Sequence, residues 1–198
     1  MKSRYAALAL TGALFASGAH ANLLSTFDSN AEGWTANTPE GSLAYSTTGG
    51  NTGGYIQLSD GANGDMGAIA PWTGNLSAYL GGTLSFDALN VSNLTPDWGN
   101  FGIVTISGLA GSVTRNLAGS GFPLNDSSWH SFSANLTSDI WGANLAAILA
   151  DVSSISITTE FYNGVEETAG LDHLALPSVS TPIPEPGSLA LLATAGLA

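Results

Sequence analysis

The sequence has no cysteine. Disulfides, thiolate metal sites and a cysteine nucleophile are therefore excluded, as is a lipid-modified cysteine at an export cleavage site. It also has almost no base. Lys2, Arg4 and Arg115 stand against 15 acids, for a formal charge of −12 over 198 residues. Nucleic-acid surfaces need clustered Lys and Arg to neutralise phosphates, so that class is excluded. The same balance argues against anionic lipid headgroups and other polyanions unless a cation bridges them. Charged residues make up only 9%, against 44% hydrophobic, which separates the chain from acidic disordered tails. Glycine is abundant: 25 residues, about twice the ordinary ~7%. With Ser, Thr and Asn alongside it, the composition describes many short strands joined by tight turns. A fold of this kind, exported without disulfides, must be held by core burial, with or without a bound cation.

The two ends read as addresses. Residues 1–21, MKSRYAALALTGALFASGAHA, place Lys2 and Arg4 before an apolar run from Ala6 to Phe15. That run is well short of the ~20 residues of a membrane span. Ala19-His20-Ala21 follows as an A-x-A cleavage signature, and this order of features predicts a signal peptide. At the other end, residues 178–198 combine a Pro- and Ser-rich linker with the apolar run Leu189 to Ala198. Pro177, Pro182, Pro184 and Pro186 exclude a regular helix or central strand there and predict a stiff, extended spacer.

Pro184-Glu185-Pro186, with a polar linker before it and a Leu/Ala/Gly stretch after it, resembles the PEP-CTERM sorting signal. That signal belongs to exported proteins of Gram-negative, exopolysaccharide-making bacteria. The resemblance implies processing by an exosortase-type enzyme and a transient stage at the inner membrane. The family pattern continues through a full transmembrane segment to an Arg-rich cluster; here neither precedes Ala198.

Residues 22–177 predict one domain. Period-two alternation marks strands at Leu23 to Phe27, Gly54 to Leu58, Thr83 to Leu89, Phe101 to Ile106, His130 to Leu136, Ser154 to Phe161 and Leu171 to Leu176. FGIVTI at 101–106 reads as buried on both faces. One segment has a helical period instead: Trp141, Leu145, Ile148, Leu149 and Val152 predict a short amphipathic helix, with Thr137, Ser138 or Asp139 as its N-cap. The fold class is therefore all-β: an antiparallel jelly-roll or β-sandwich with one short amphipathic helix.

The order of several short motifs resembles the laminin B (laminin type IV) domain, a jelly roll related to carbohydrate-binding modules. They are Phe27-Asp28 with Glu32-Gly33-Trp34, Gly53-Gly54-Tyr55-Ile56, Ala70-Pro71-Trp72, Leu76-Ser77-Ala78-Tyr79 and Gly81 to Phe86. Trp129 before a strand, Leu145 to Ile157, and Leu171-Asp172-His173-Leu174-Ala175-Leu176 complete the series. The laminin domain is an insert in Cys-rich repeats, and this sequence has none, so the resemblance implies a fold and not laminin's partners.

Three kinds of site are open. Catalysis by an acid pair has many formal candidates; adjacent Glu166 and Glu167 read as a solvated loop before Gly170, and no G-x-S-x-G elbow supports a Ser-His-Asp triad through His130 or His173. Calcium suits the oxygen-rich composition. One candidate pair is Asp28 with Asp172, where first and last strands meet, as carbohydrate-binding jelly rolls often hold a structural calcium there. The alternative is the loop of Asp60, Asn63 and Asp65. Aromatic residues for sugar binding are the third: Trp34, Tyr55, Trp72, Tyr79, Trp98 and Trp129 are available, with Trp98, Trp72 and Tyr79 as candidates and Trp98 favoured by its turn, Pro96 to Asn100.

Together these features predict an exported, non-catalytic β-sandwich protein of the cell surface or extracellular matrix, with a polysaccharide as its expected partner. The alternatives are a secreted polysaccharide-active enzyme and a purely structural matrix protein. The mature chain is expected to begin at Asn22, since the small residues Ala19 and Ala21 fit the signal peptidase. N-terminal sequencing of the secreted protein checks this, and a product starting at Met1 contradicts it.

Overall fold

Alternating apolar and polar residues build strands here, and glycine and asparagine end them. The structure is a computed structural model that describes residues 20–61, 65–120 and 122–179, and Ala21–Val179 form one folded unit. The first strands are β1 (Leu23–Ser25), β2 (Thr35–Ala36), β3 (Gly41–Ser46), β4 (Tyr55–Asp60) and β5 (Gly67–Ile69). A 3₁₀ turn at Ser77–Tyr79 leads to β6 (Thr83–Asn90), β7 (Ile103–Gly108), β8 (Gly111–Asn116) and β9 (His130–Asn135). Helices α1 (Ser138–Trp141) and α2 (Leu145–Leu149) precede β10 (Val152–Thr158) and β11 (Thr168–Leu176).

One sheet has six strands in the order β3-β4-β11-β6-β9, with β1 also paired to β11; the other has five, β2-β5-β10-β7-β8. All the pairings are antiparallel. The all-β sandwich expected from the sequence is what forms. Phenylalanines join the two layers. Phe86 on β6 lies 5.4 Å from Phe132 on β9, and Phe101 lies 6.2 Å from both Phe132 and Phe161. Each such buried side chain is worth about 1.5–3 kcal/mol, and without disulfides this burial carries the fold.

β11 organises the six-stranded sheet. It pairs with β6 on one side, from Ala169 opposite Asn90 to Ala175 opposite Ser85. Its other side is shared. β4 takes Thr168 to Leu171, and β1 takes Leu174 to Leu176. Asp172 and His173 fall in the gap between these two partners. A bulge interrupts the register between Asp172 and Ala175, and His173 sits at φ +48°, a strained conformation for a side chain with a Cβ.

Several sequence expectations are corrected. The single helix is two short ones, because Gly142 at φ +99° ends α1 after one turn. The apolar set is nevertheless buried together: Trp141, Leu145, Ile148 and Leu149 cover the core, while Val152 opens β10. Thr137 occupies the N-cap of α1, but its side chain makes no capping bond. The FGIVTI segment is not buried on both faces. Val104 and Ile106 point inward, Ile103 is only half-buried, and Phe101 precedes the strand. Strands β2, β3, β5 and β8 were not expected, because glycine and hydroxyl residues hide their alternation. Among the described residues, no helix is long and apolar enough to cross a membrane.

Candidate functional site

Strand alternation sends Ile56, Leu58, Ala169, Leu171, Phe86 and Phe132 into the core. Their neighbours therefore line the outer face of the six-stranded sheet. Register places Gly170 opposite Gln57 and Leu89, Asp172 opposite Asp87, and Asp87 opposite Ser131. An aromatic pair sits on this face. Tyr55 and Trp129 meet edge to face with ring centroids 5.3 Å apart. Both rings rest over Gly170, where an added Cβ would come within 3.0 Å of each. Glycine at 170 is thus what lets the rings settle onto the sheet. The Trp129 indole N–H donates to the Gly49 carbonyl at 3.1 Å, and the Gln57 amide donates to the Tyr55 hydroxyl. Tyr55 is buried, whereas Trp129 stays partly exposed at the rim.

Beside this pair the Gly49–Gly54 loop folds over the gap in β11. The Asn51 backbone N–H donates to Asp172 Oδ2 at 2.8 Å, and the Asn51 side-chain amide donates to Asp87 Oδ2 at 2.7 Å. The Ser131 hydroxyl donates to Asp87 Oδ1, and the His173 amide to Asp172 Oδ1 at 2.7 Å. His173 Nδ1 lies 3.4 Å from both carboxylates, while its Nε2 lies 3.4 Å from the Thr52 hydroxyl. Burial pushes the Asp172 carboxyl above its ordinary range. The His173 and Asn51 amides and the His173 ring pull it back, and the Asp87 charge pushes it further up. Close packing fixes the loop here: a Cβ on Gly50 would lie 2.3 Å from the Gly54 carbonyl oxygen and 2.8 Å from Asp172 Oδ2.

The residues singled out by sequence fall in different places. Asp28 and Asp172 do approach the same loop. A Cβ on Gly53 would touch Asp28 Oδ1 at 2.7 Å, and Asp28 Oδ2 accepts from the Thr26 hydroxyl at 2.8 Å. Among the described residues no three Asp, Glu or His side chains form a set that would hold a metal ion. The alternative loop does not gather its acids. Asp60 turns inward, accepting from the Glu167 amide at 3.0 Å, while Asp65 is exposed, and Asn63 lies outside the described residues. Trp98 is 43% exposed on an irregular loop. Trp72 and Tyr79 are packed inside the fold. Trp72 meets Trp34 edge to face at 5.5 Å, and buried Tyr79 donates its hydroxyl to the Ala21 carbonyl at 2.7 Å. Ala19 and the Pro184, Glu185, Pro186 motif lie outside the described residues. A separate recess is lined by Leu80, Leu136, Thr137, Ser138, Leu145 and Ala146 and carries no aromatic or charged side chain.

One group escaped the sequence reading. Glu166 is exposed as expected, but Glu167 is wholly buried, and Asp60 and Glu160 are buried beside it. Asp60 Oδ2, Glu160 Oε2 and Glu167 Oε2 have no hydrogen-bond partner. Burial, then the Glu167 and Asp60 charges, pushes the Glu160 carboxyl up to about 8. Burial likewise pushes Glu167 up to about 7, against the pull of the Phe161 and Tyr162 amides. The only signal in the sequence was parity: in a strand, one of two adjacent glutamates must face inward.

No family model matches the chain, and no curated protein matches it either. Solved structures do. A family 22 xylan-binding domain from Paenibacillus barcinonensis Xyn10C matches with TM-score 0.53 and 14% identity, over 83% of this chain and 100% of that domain. The family 11 carbohydrate-binding module of the cellulosomal cellulase Lic26A-Cel5E of Clostridium thermocellum matches with TM-score 0.51 and 13% identity, over 84% and 100%. The L4b domain of human laminin alpha-2 also matches, with TM-score 0.49 and 12% identity, over 62% and 80%. With the two carbohydrate-binding modules, at such identities, the shared property is the fold, a β-sandwich.

The buried glutamates set a pH dependence. Their folded-state values lie above the ordinary 4.5, so the folded protein holds protons that the unfolded chain releases. The resulting stabilisation is complete below about pH 4.5 and is lost as pH rises through 7 and 8. Thermal unfolding followed by circular dichroism should give a higher Tm at about pH 6 than at about pH 9, and Glu160→Gln should flatten that slope. A wild-type Tm that climbs over this interval contradicts the reading.

Proposed function

We propose that this domain is a non-catalytic glycan-binding module of an exported protein that acts within an exopolysaccharide matrix. The observation that carries the reading is Trp129, partly exposed and seated with buried Tyr55 over Gly170, on the sheet face that also carries Gln57 and Asn51. Sugars are recognised by apolar contact with aromatic faces, by hydrogen bonds exchanged with amides and by hydroxyls donating to carboxylates. Trp98 adds a second exposed aromatic on the loop after β6. The shared fold with a xylan-binding domain supports this class of ligand. Export, and sorting by an exosortase-type enzyme at Pro184-Glu185-Pro186, belong to the same proposal and rest on the sequence resemblance.

Hydrolysis is the weaker reading. Asp87 and Asp172 do face one another across β6 and β11, but they are buried and held by Asn51, Ser131 and His173. A general acid or base must reach its substrate. A structural calcium between Asp28 and Asp172 is a separate proposal with a partial fit. Two carboxylates reach the loop, and its backbone carbonyls would have to supply most of the about six to eight oxygens that calcium takes.

Two measurements test these proposals. In native gels containing a panel of soluble polysaccharides, wild type should be retarded by at least one, and Trp129→Ala should lose about tenfold in affinity, roughly 1.4 kcal/mol, with its thermal unfolding little changed. No retardation by any polysaccharide counts against glycan binding, and release of reducing ends by wild type but not by Asp87→Asn supports the enzyme. For calcium, a millimolar addition should raise Tm and Asp172→Ala should abolish the rise, whereas identical melting with calcium and with chelator rejects the ion.

A further inference from the structure

Buried Glu167 lies in the segment beneath the loop that displays Trp98, and its side chain is linked to that loop through Phe161. Glu167 immediately precedes β11 and is locked to the end of β4. Its amide donates to Asp60 Oδ1 at 3.0 Å, and the Asp60 amide donates to the Glu167 carbonyl at 3.3 Å. From this anchored position Glu167 Oε1 accepts the Phe161 amide at 2.7 Å. The Phe161 carbonyl in turn accepts the amides of Asp97 at 3.1 Å and Trp98 at 3.0 Å. At the surface Asp97 Oδ1 accepts the Asn163 amide at 2.9 Å, closing the same two segments from above.

We propose that Glu167 is the positioning residue for Trp98, holding residues 160–167 so that the Phe161 carbonyl fixes the indole as a preformed platform. This rests on the reading of Trp98 as a glycan contact. The physical need is clear. Residues 91–102 cross from β6 in one sheet to β7 in the other without strand pairing of their own. An exposed aromatic on such a loop loses conformational freedom when it binds, unless the loop is already ordered. The order comes from below. Phe161 is wholly buried and packs on Phe101, so its carbonyl is a rigid acceptor once its amide is held. The holder must be a buried acceptor that reaches inward from β11, and Glu167 Oε1 is that atom. A similar amide-to-hydroxyl tie at the start of the loop, Thr168 to Ser92 Oγ at 2.6 Å, also leaves from the beginning of β11.

The test compares Glu167→Gln, which keeps the Oε1 acceptor, with Glu167→Met, which removes it at similar volume. Amide hydrogen exchange in the secreted protein should show protection at Asp97, Trp98, Phe161 and Asn163 falling by about tenfold or more in the methionine variant, while β6 and β11 amides stay protected. The glutamine variant should restore it. Retention on the polysaccharide bound by wild type should fall in the methionine variant to the level of Trp98→Ala and recover with glutamine. Unchanged protection in Glu167→Met overturns the proposal. So does loss of protection in wild type on chelation of divalent cations, since Glu167 would then act through an ion. If Glu167→Met unfolds throughout, exposed Asp97→Ala decides: selective loss of protection at Trp98 and Asn163 supports the positioning chain, and unchanged protection overturns it. Protection lost with polysaccharide retention intact keeps the positioning role and instead removes Trp98 from the glycan site.

Discussion

The shared edge of β11 is the constraint on which the rest depends. One nine-residue strand must satisfy β4 with its first half and β1 with its second, and these two partners do not meet. Backbone groups left between them are buried and need partners of their own. The chain answers with a bulge, a strained His173 and a buried Asp172, and then lays the Gly49–Gly54 loop over the gap. That loop also supplies the carbonyl that holds Trp129, so the aromatic pair and the acidic pair share one structural origin. An irregularity in pairing thus becomes a place where polar groups and rings converge on an otherwise plain sheet face.

A second regularity follows from the scarcity of base. Loops in most domains are pinned in part by Lys and Arg, but here carboxylates receive backbone amides instead. Glu32 Oε1 accepts the Thr26 and Phe27 amides at 3.2 and 2.7 Å, fixing the turn after β1. Asp172 accepts Asn51, Glu167 accepts Phe161, and Asp97 accepts Asn163. A carboxyl group offers two acceptor oxygens on a short side chain, so a few of them order long segments. The cost appears where carboxylates gather, at Asp60, Glu160 and Glu167, each with one oxygen left without a partner. Burial first, and repulsion between the carboxylates after it, favours proton uptake at Glu160 and Glu167.

How far this was legible in the sequence depends on the kind of signal. Thr83 to Leu89 and His130 to Leu136 announce their strands because Leu84, Phe86 and Phe132 alternate with polar residues on a half-solvated sheet. β8 announces nothing, since GSVTRN lies on the rim and buries little. The helical period at 141–152 correctly reported a buried stripe, but a periodicity of apolar residues cannot show that Gly142 breaks the rod. At the site, Asp172 stood out by its place in the last strand, yet the split partnership that buries it is a property of three distant segments. Trp72, Tyr79 and Trp98 are chemically equal as sugar platforms. Only packing separates them, and it puts the first two against Trp34 and Ala21. Glu167 was misread because its neighbour Glu166 made the pair look like a solvated turn, although their opposite fates are what a strand entry demands.

The charge balance bears on which glycan such a module would take. With a formal charge of −12 over 198 residues, the chain presents a negative field to any approaching polymer. The groups beside Tyr55 and Trp129 are Asp87 and Asp172, and the one next to Trp98 is Asp97. A polymer of uronic acids would meet like charges at both aromatic surfaces and would lose more to repulsion than stacking returns, unless cations bridged it. A neutral glycan meets none of this, and its hydroxyls are suited to carboxylate and amide acceptors. Its binding would also depend little on salt, because no ion pair has to form. The acidity that excluded nucleic acid at the outset therefore narrows the proposed ligand further, to an uncharged polysaccharide within the matrix.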